Sequence, residues 1–222
     1  MDWEALRVSL VLGSGTVALL LPLGIWFGRL LAVSEFRGKL LVEALVTVPL
    51  VLPPTVLGFY LLVAFGARSP LGRAFQAIAG QALPFSFQGL LLASAIANIP
   101  FVVQPIQRGF EAIPLDVRDA AACCGLTPWQ RFVRIEAPLA WPGILSAVIL
   151  TFAHTLGEFG VVLMVGGNLP GDTRTLSVAI YDRMQAFDDR GAGVMAASLL
   201  AIAVATLVAT TALARRAGRR RG

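Results

Sequence analysis

The chain of 222 residues is 57% hydrophobic and 14% charged, and its mean hydropathy is +0.77. These values lie outside the usual range of soluble domains and indicate a single membrane domain over residues 1–222. The net charge is +5, and the basic residues are grouped at the ends of apolar runs. This grouping argues against a nucleic-acid-binding arm and is typical of anchoring at a lipid bilayer.

Five apolar runs are each long enough to cross about 30 Å of hydrocarbon as a helix. They lie at about residues 8–28, 40–65, 87–107, 142–165 and 193–214. The runs lack the period of two that barrel strands show, and backbone groups in lipid must be satisfied within their own segment. The sequence therefore predicts an all-α membrane protein with about five transmembrane helices.

Proline interrupts the second and third spans. The segment "VPLVLPPTVLGFY" holds Pro49, Pro53 and Pro54, and "ANIPFVVQPIQ" holds Pro100 and Pro105. A proline removes a helix donor and frees a carbonyl, which must then be satisfied by neighbouring protein, polar side chains or water. Two interpretations stay open: kinks that shape the packing, or broken helices that line a passage. The polar candidates for such a passage within the spans are Thr47, Thr55, Asn98, Gln104 and Thr151.

The loop at about 113–137 carries signals for two short helices. Pro114 and Gly125 mark the start and the end of the first helix, which is too short to cross a membrane. Thr127 and Gln130 then have the spacing of a capping box at the start of the second helix.

This second helix is predicted to be amphipathic. Trp129, Phe132 and Val133 share one face, and Arg131 and Arg134 share another. The residues alone favour packing of the apolar face on the membrane surface, with burial against a partner protein as the alternative.

The fourth span contains His154 and Glu158, which are four residues apart and face the same side of a helix. A carboxylate in hydrocarbon is costly, so Glu158 is expected to face the bundle interior, water or a partner. Two interpretations stay open. The pair is either structural, with Glu158 satisfied by His154 or by backbone, or it lies near an external gate, where Gly157 and Gly160 allow close packing.

No pattern in the chain predicts a metal site or a catalytic centre. His154 is the one histidine, so no H-E-x-x-H site exists. The adjacent Cys123 and Cys124, interpreted as reduced and semi-buried, make both a poor disulfide and a poor zinc site. The sequence also lacks G-x-x-x-x-G-K-[ST], so the chain is not itself an ATPase.

Basic residues are divided unevenly between alternate loops. The larger set has twelve members, which are Arg29, Arg37, Lys39, Arg108, Arg118, Arg131, Arg134, Arg215, Arg216, Arg219, Arg220 and Arg221. The positive-inside rule therefore predicts that the C-terminus and the loop at 113–137 are cytoplasmic and that the N-terminus is outside. The loops at 66–86 and 166–192 then lie outside, where short surface helices are expected.

The loop at 113–137 also carries a family resemblance. Residues 119–121 read Asp-Ala-Ala, Gly125 follows after three residues, and Ile-Glu-Ala-Pro follows at 135–138 after nine more. This pattern closely resembles the "EAA" signature of ABC-importer permeases, E-A-A-x-x-x-G-x(9)-I-x-L-P. It departs from the signature twice, because Asp119 replaces glutamate and Ala137 replaces leucine.

The resemblance extends along most of the chain. The segments "LPPTVLGFYLL", "IPFVVQPIQRGFEAI" and "LGEFGVVLMVGGNLPGDTRTLSVAIY" are similar to the molybdate-type permeases of molybdate, tungstate and sulfate importers. The resemblance implies the type I ABC-importer architecture in a bacterial cytoplasmic membrane. It also implies a homodimer, two cytoplasmic ATPase subunits and an external oxyanion-binding protein as partners. The permease itself would be non-catalytic and bind no cofactor, because ATP and Mg bind the ATPase.

In that family the helices around the EAA glycine form a coupling helix that docks into a groove of the ATPase. The resemblance thus implies ATPase docking where the residues alone favoured the membrane surface. The docking residues that it implies are Asp119, Ala120, Ala121, Gly125, Trp129, Ile135 and Pro138.

The predicted function is import of an oxyanion, with molybdate as the first candidate and tungstate or sulfate as alternatives. A carboxylate such as Glu158 is an awkward ligand for a dianion, so selection is expected in the external binding protein. A secondary transporter driven by an ion gradient is the alternative from another class, with His154 and Glu158 as its proton relay. An intramembrane enzyme is rejected because no nucleophile or metal set is present.

Overall fold

The structure is a computed structural model that describes residues 1–219, with side chains for residues 1–208 except 122. Arg220 and Arg221, two of the arginines predicted to anchor the C-terminus, lie outside the described residues. All regular elements within the described part are helical, which confirms the predicted all-α class. The helices are α1 Trp3–Val33, α2 Lys39–Val51, α3 Pro54–Phe65, α4 Pro70–Ala79, α5 Phe87–Glu111, α6 Leu115–Cys123, α7 Pro128–Arg131, α8 Ala137–Gly157, α9 Gly160–Gly166, α10 Leu176–Gln185 and α11 Asp189–Arg219, with a π-helical turn at Phe132–Glu136 between α7 and α8.

The centre of the molecule is a bundle of α1, α5 and α8. Its core contains Val102, Ile106 and Phe110 of α5 and Ile144 of α8, all of which are buried. Glycines let these helices approach closely: a Cβ atom on Gly143 would stand 2.5 Å from the carbonyl oxygen of Pro105 on α5. The bundle is therefore held by contacts between backbones as well as by apolar side chains.

Two of the predicted spans are divided in the structure: the span at 40–65, where prolines predicted an interruption, and the span at 142–165, where none was predicted. The first is divided into α2 and α3, which meet at 108° beside Pro53 and Pro54. The second divides at Glu158, where the backbone is extended before α9 begins. Within the described residues, four helices are long and apolar enough to cross a membrane, or up to five if the bent pair forms one span.

The second short helix predicted in the loop at 113–137 is not a separate element. Helix α7 continues through the π-helical turn into α8, so that one helical unit of 30 residues runs from Pro128 to Gly157. The apolar signal of the span starts near residue 142, but neither Pro138 nor Pro142 ends the helix. Pro138 follows the π-helical turn directly, whereas Pro142 lies inside α8, where it removes one hydrogen-bond donor from the helix without ending it.

The bundle has two distinct ends. At one end Arg29 of α1 contacts Glu136, and this end also carries α6 and α7; we call it the α6 end. At the other end the Leu176 N–H donates to Ser9 Oγ at 2.8 Å, which joins the start of α10 to α1; we call it the α10 end. Short helices lie in both loops where they were expected, α4 within 66–86 and α10 within 166–192.

The close approach of α5 and α8 gives a direct test of the packing. We expect Gly143→Ala to destabilise the protein by about 1–3 kcal/mol, because the added methyl group would contact the α5 backbone, which has no free rotamer to move away. Thermal unfolding of the purified protein in detergent measures the change.

The matched control is Gly193→Ala in α11, where an added Cβ meets nothing within 4 Å. This variant should unfold at or above the wild-type temperature, since alanine favours a helix more than glycine does. Equal melting temperatures for the two variants would contradict the packing assignment.

Candidate functional site

The loop between α5 and α8 is shaped by a left-handed glycine and a helix cap. Gly125 follows α6 with φ +73°, a conformation that side-chain-bearing residues rarely adopt. Thr127 Oγ1 accepts from the Gln130 N–H at 3.3 Å, and Gln130 Oε1 accepts from the Thr127 N–H at 3.0 Å. Both hydrogen bonds of the predicted capping box are therefore present, and they fix the angle at which α7 leaves the loop.

The seven predicted docking residues divide into two groups. Asp119, Ala120, Gly125 and Trp129 are exposed, and Trp129 keeps 70% of its surface free. The others, Ala121, Ile135 and Pro138, are buried or partly buried. The exposed group forms a small surface at the tip of the α6 end, which we call the tip surface. Cys123 and Cys124 are also exposed there, so the interpretation of them as semi-buried is wrong.

A buried ion cluster lies behind the tip surface. Glu136 is 1% exposed, and its Oε2 accepts from Arg29 Nε at 2.6 Å. Its Oε1 lies 3.2 Å from Arg131 Nε. The Arg29 guanidinium also stands 5.4 Å from the ring centre of Phe132. The cluster joins α1 to the π-helical turn and so fixes the base of the loop on the bundle.

The EAA pattern does not predict this cluster, because Glu136 occupies a variable position of the pattern. Arg131 and Glu136 are five residues apart, a spacing that an α-helix places on different faces. In the π-helical turn the Ala137 N–H donates to the carbonyl of Phe132, five residues back, so residues five apart come onto one face. One feature of the sequence could have indicated the cluster: Glu136 is a carboxylate just before an apolar run, and a carboxylate in such a place needs a cationic partner.

One hydrogen bond and one ion-pair contact, both at His154 Nδ1, form a chain of three predicted pathway residues. Asn98 is fully buried on α5, and its Oδ1 lies 3.2 Å from His154 Nδ1 on α8. The same His154 nitrogen lies 3.4 Å from Glu158 Oε2. The imidazole also stacks on Phe101, with ring centres 4.1 Å apart. The structure thus brings Asn98, His154 and Glu158 together, although they come from two spans.

Glu158 occupies the break between α8 and α9. Its Oε1 accepts from the Val161 N–H at 3.4 Å, and its carbonyl oxygen accepts from Ser177 Oγ at 2.7 Å. A carboxylate at the start of a helix is stabilised by the free N–H groups of the first turn. Glu158 thus has structural partners and also lines a cleft of 460 Å³ beside His154 and Thr55, so both interpretations of the pair stay open.

The remaining pathway candidates lie apart from this chain. Gln104 Nε2 donates to Thr47 Oγ1 at 3.2 Å, which connects α5 to α2. Thr151 is fully buried, and its hydroxyl has no hydrogen-bond partner among the described residues. Thr55 is exposed at the rim of the cleft beside Glu158. In the described part of the chain, no group of three or more His, Cys, Asp or Glu side chains lies close enough to hold a metal ion.

Comparison with known proteins gives a consistent family assignment. Residues 21–221 match the model of the family described as "Binding-protein-dependent transport system inner membrane component". The chain is 48% identical to the molybdenum transport system permease protein ModB of Azotobacter vinelandii, over 84% of this chain and 83% of that protein. It is 37% identical to the protein of the same name from Escherichia coli strain K12, over 98% and 97%. It is also 34% identical to a probable sulfate transport system permease protein of Prototheca wickerhamii, over 77% and 66%.

Solved structures share the fold at low sequence identity. A chain of a bacterial alginate ABC transporter, solved in complex with a periplasmic protein that holds an alginate pentasaccharide, superposes with a TM-score of 0.76 at 17% identity, over 96% of this chain and 78% of that chain. A chain of the MetNI methionine ABC transporter, solved in inward-facing conformations, gives 0.72 at 18% identity, over 97% and 94%.

The ion cluster can be tested without any assumption about function. Glu136→Ala would leave Arg29 and Arg131 close together without their buried counter-charge. We expect the free energy of unfolding to fall by about 3 kcal/mol, which is typical when one partner of a buried ion pair is removed. Thermal unfolding in detergent measures this loss.

The control for this variant is Glu35→Ala, which removes an exposed carboxylate that contacts Lys39 at 3.1 Å. Solvent-exposed pairs contribute little, so its melting temperature should match the wild type. A Glu136→Ala protein that is as stable as the control would show that the cluster does not hold the loop.

Proposed function

The chain belongs to the family of binding-protein-dependent transport system inner membrane components, and on this premise we propose that it is the permease subunit of an ATP-driven molybdate importer. The observation that carries the proposal is the similarity to molybdenum permeases along nearly the whole chain. The fold supports the same conclusion, because it is shared with chains of two ABC transporters. Tungstate and sulfate are the alternative substrates. Sulfate is retained because one of the relatives is a probable sulfate permease.

In this proposal the tip surface binds a cytoplasmic ATPase subunit. The surface is exposed, and Trp129 offers a large apolar side chain of the kind that anchors protein interfaces. Ala121, Ile135 and Pro138 contribute differently, since they lie against the protein and keep the loop in place. The α6 end would then be cytoplasmic and the α10 end would be external, in agreement with the division of basic residues.

The partners of the proposed importer follow the family pattern. Two copies of the chain would bind two ATPase subunits at their α6 ends and one oxyanion-binding protein at their α10 ends. ATP and Mg would bind the ATPase subunits, so the permease chain contributes no catalysis of its own. It would contribute the path through the cytoplasmic membrane and the helices whose movement opens and closes that path.

The helix from Pro128 to Gly157 provides a physical route from docking to transport. Its 30 residues span about 45 Å at 1.5 Å per residue, from the tip surface to the cleft beside Glu158. A packed helix moves as a unit, because its hydrogen bonds and core contacts resist local deformation. When the ATPase subunits close on ATP, displacement of the loop would move His154 relative to Asn98 and open or close the path.

The contact between His154 and Glu158 supports one rival function. A histidine beside a buried carboxylate is a suitable pair for proton transfer in a transporter driven by an ion gradient. The rival predicts uptake by proteoliposomes that contain this chain without ATP and without an ATPase. Uptake that requires both ATP and the ATPase would exclude it.

The docking assignment can be tested at Gly125. In Gly125→Val, a branched side chain would occupy a left-handed position on the tip surface, where an added Cβ meets nothing from this chain. We expect association with the ATPase to weaken by roughly tenfold or more, equivalent to about 1.4 kcal/mol, and ATP-dependent molybdate uptake to fall with it. Copurification in mild detergent and uptake by proteoliposomes are the two measurements.

Gly80→Val is the matched control, because Gly80 has φ +71° and equally open surroundings but lies at the α10 end. It carries the same backbone strain without touching the tip surface, so ATPase association should be unchanged. If Gly125→Val assembles and transports as well as the control, the tip surface is not the docking site. If the wild-type complex imports none of molybdate, tungstate and sulfate, the proposed cargo class is wrong.

A further inference from the structure

Two clefts lie along one face of α8. The cleft nearer the α10 end, called the outer cleft, has a volume of 460 Å³ and includes His154 and Glu158. The second, called the inner cleft, has a volume of 550 Å³ and includes Ser146 and Leu150 of α8. Residues 142, 146, 150, 154 and 157 follow one another at helical spacing, so both clefts open on the same stripe of the helix.

The same neighbouring elements border both clefts. The α2–α3 bend contributes Leu50 to the inner cleft and Thr55 to the outer cleft. Helix α5 contributes Phe101 to the inner cleft, and the Phe101 ring stacks on His154 of the outer cleft with ring centres 4.1 Å apart. The stacked pair therefore stands between the two clefts.

The charged residues of the two clefts have opposite signs. The outer cleft contains Glu158 and no lysine or arginine among its lining residues. The inner cleft contains Arg108 and no aspartate or glutamate. Arg108 is exposed, and no described carboxylate lies within ion-pair distance of it. Nearby, Glu43 and Glu111 both accept hydrogen bonds from Gln107 at 2.8 Å, so these carboxylates have a different partner.

The inner cleft also offers donors and space. Gln104 uses its amide group to donate to Thr47, and an amide carries a second N–H that remains for a ligand. A guanidinium presents paired N–H groups that match two oxygens of a tetrahedral anion. A water molecule occupies about 30 Å³ in the liquid, so the cleft can hold an anion with several of its waters.

We propose that the inner cleft is a binding site for the transported tetrahedral dianion and that Arg108 is its cationic ligand. The inference rests on the proposed function as an oxyanion importer. The dianion passes the outer cleft, where Glu158 repels it, and binds in the inner cleft, where Arg108 attracts it. This arrangement places the cationic contact of the anion on α5, nearer the α6 end than Glu158.

The test is direct binding of tungstate and molybdate to the complex of this chain with its ATPase in nanodiscs, without the external binding protein. Isothermal titration should give a dissociation constant that rises about tenfold or more in Arg108→Gln, because a charge-assisted bidentate contact is lost. Arg108→Lys keeps the positive charge but loses the paired N–H donors of the guanidinium. Its affinity for the anions should therefore lie between those of the wild type and Arg108→Gln. ATPase copurification with each variant shows that the complex has assembled.

Arg37→Gln is the control, since Arg37 is an exposed arginine of the loop between α1 and α2 and lines neither cleft. Its affinity for tungstate should equal that of the wild type. Unchanged binding in both Arg108 variants would overturn the proposal, and so would an equal loss in Arg37→Gln, which would indicate a general effect of positive charge.

Failure of this inference is distinct from failure of the proposed function. If wild-type proteoliposomes with the ATPase and the external binding protein import molybdate or tungstate but Arg108→Gln binds the anions normally, the site alone is wrong. If wild-type proteoliposomes import no tetrahedral oxyanion and the nanodisc complex binds none, both the proposed function and the site are overturned.

Discussion

The architecture of the α6 end depends on one buried carboxylate. Glu136 forms ion pairs with Arg29 of α1 and with Arg131 of α7. It lies in the π-helical turn that joins α7 to α8. A buried charge is tolerated when its partners are close and well oriented, and removal of one partner is strongly unfavourable. This requirement fixes the loop relative to the bundle, and the π-helical turn is what brings Arg131 and Glu136 onto one face.

The continuous helix from Pro128 to Gly157 connects the ion pairs of Glu136 to the opposite end of the bundle. Because α7, the π-helical turn and α8 form one unit, the tip surface and the break at Glu158 are two ends of the same body. The packing of Gly143 against α5 lies between them and leaves little room for independent movement. A loop fixed to α1 and a helix packed on α5 together connect an exposed docking surface to the polar chain of Asn98, His154 and Glu158.

The local conformation of the loop was predictable from the sequence. Gly125 and the Thr127–Gln130 cap depend on backbone conformation and spacing within a few residues, and both have the predicted geometry. The contacts of Asn98 with His154 and of Gln104 with Thr47 connect residues more than 50 positions apart, and no local rule pairs them. The same holds for Arg29 and Glu136, whose contact depends on how α1 crosses the bundle.

The sequence by itself determined the class of the protein and the positions of its main helices. Long apolar runs in lipid must be helices, and a nearly complete EAA pattern identified the loop and its family. Only the tertiary structure decided that the second span bends through 108°, that the loop helix continues into the span and that Arg108 and Glu158 occupy separate clefts on one face. The physical reason is that hydropathy reports how each segment interacts with lipid, whereas bends, ion clusters and clefts arise from interactions between segments.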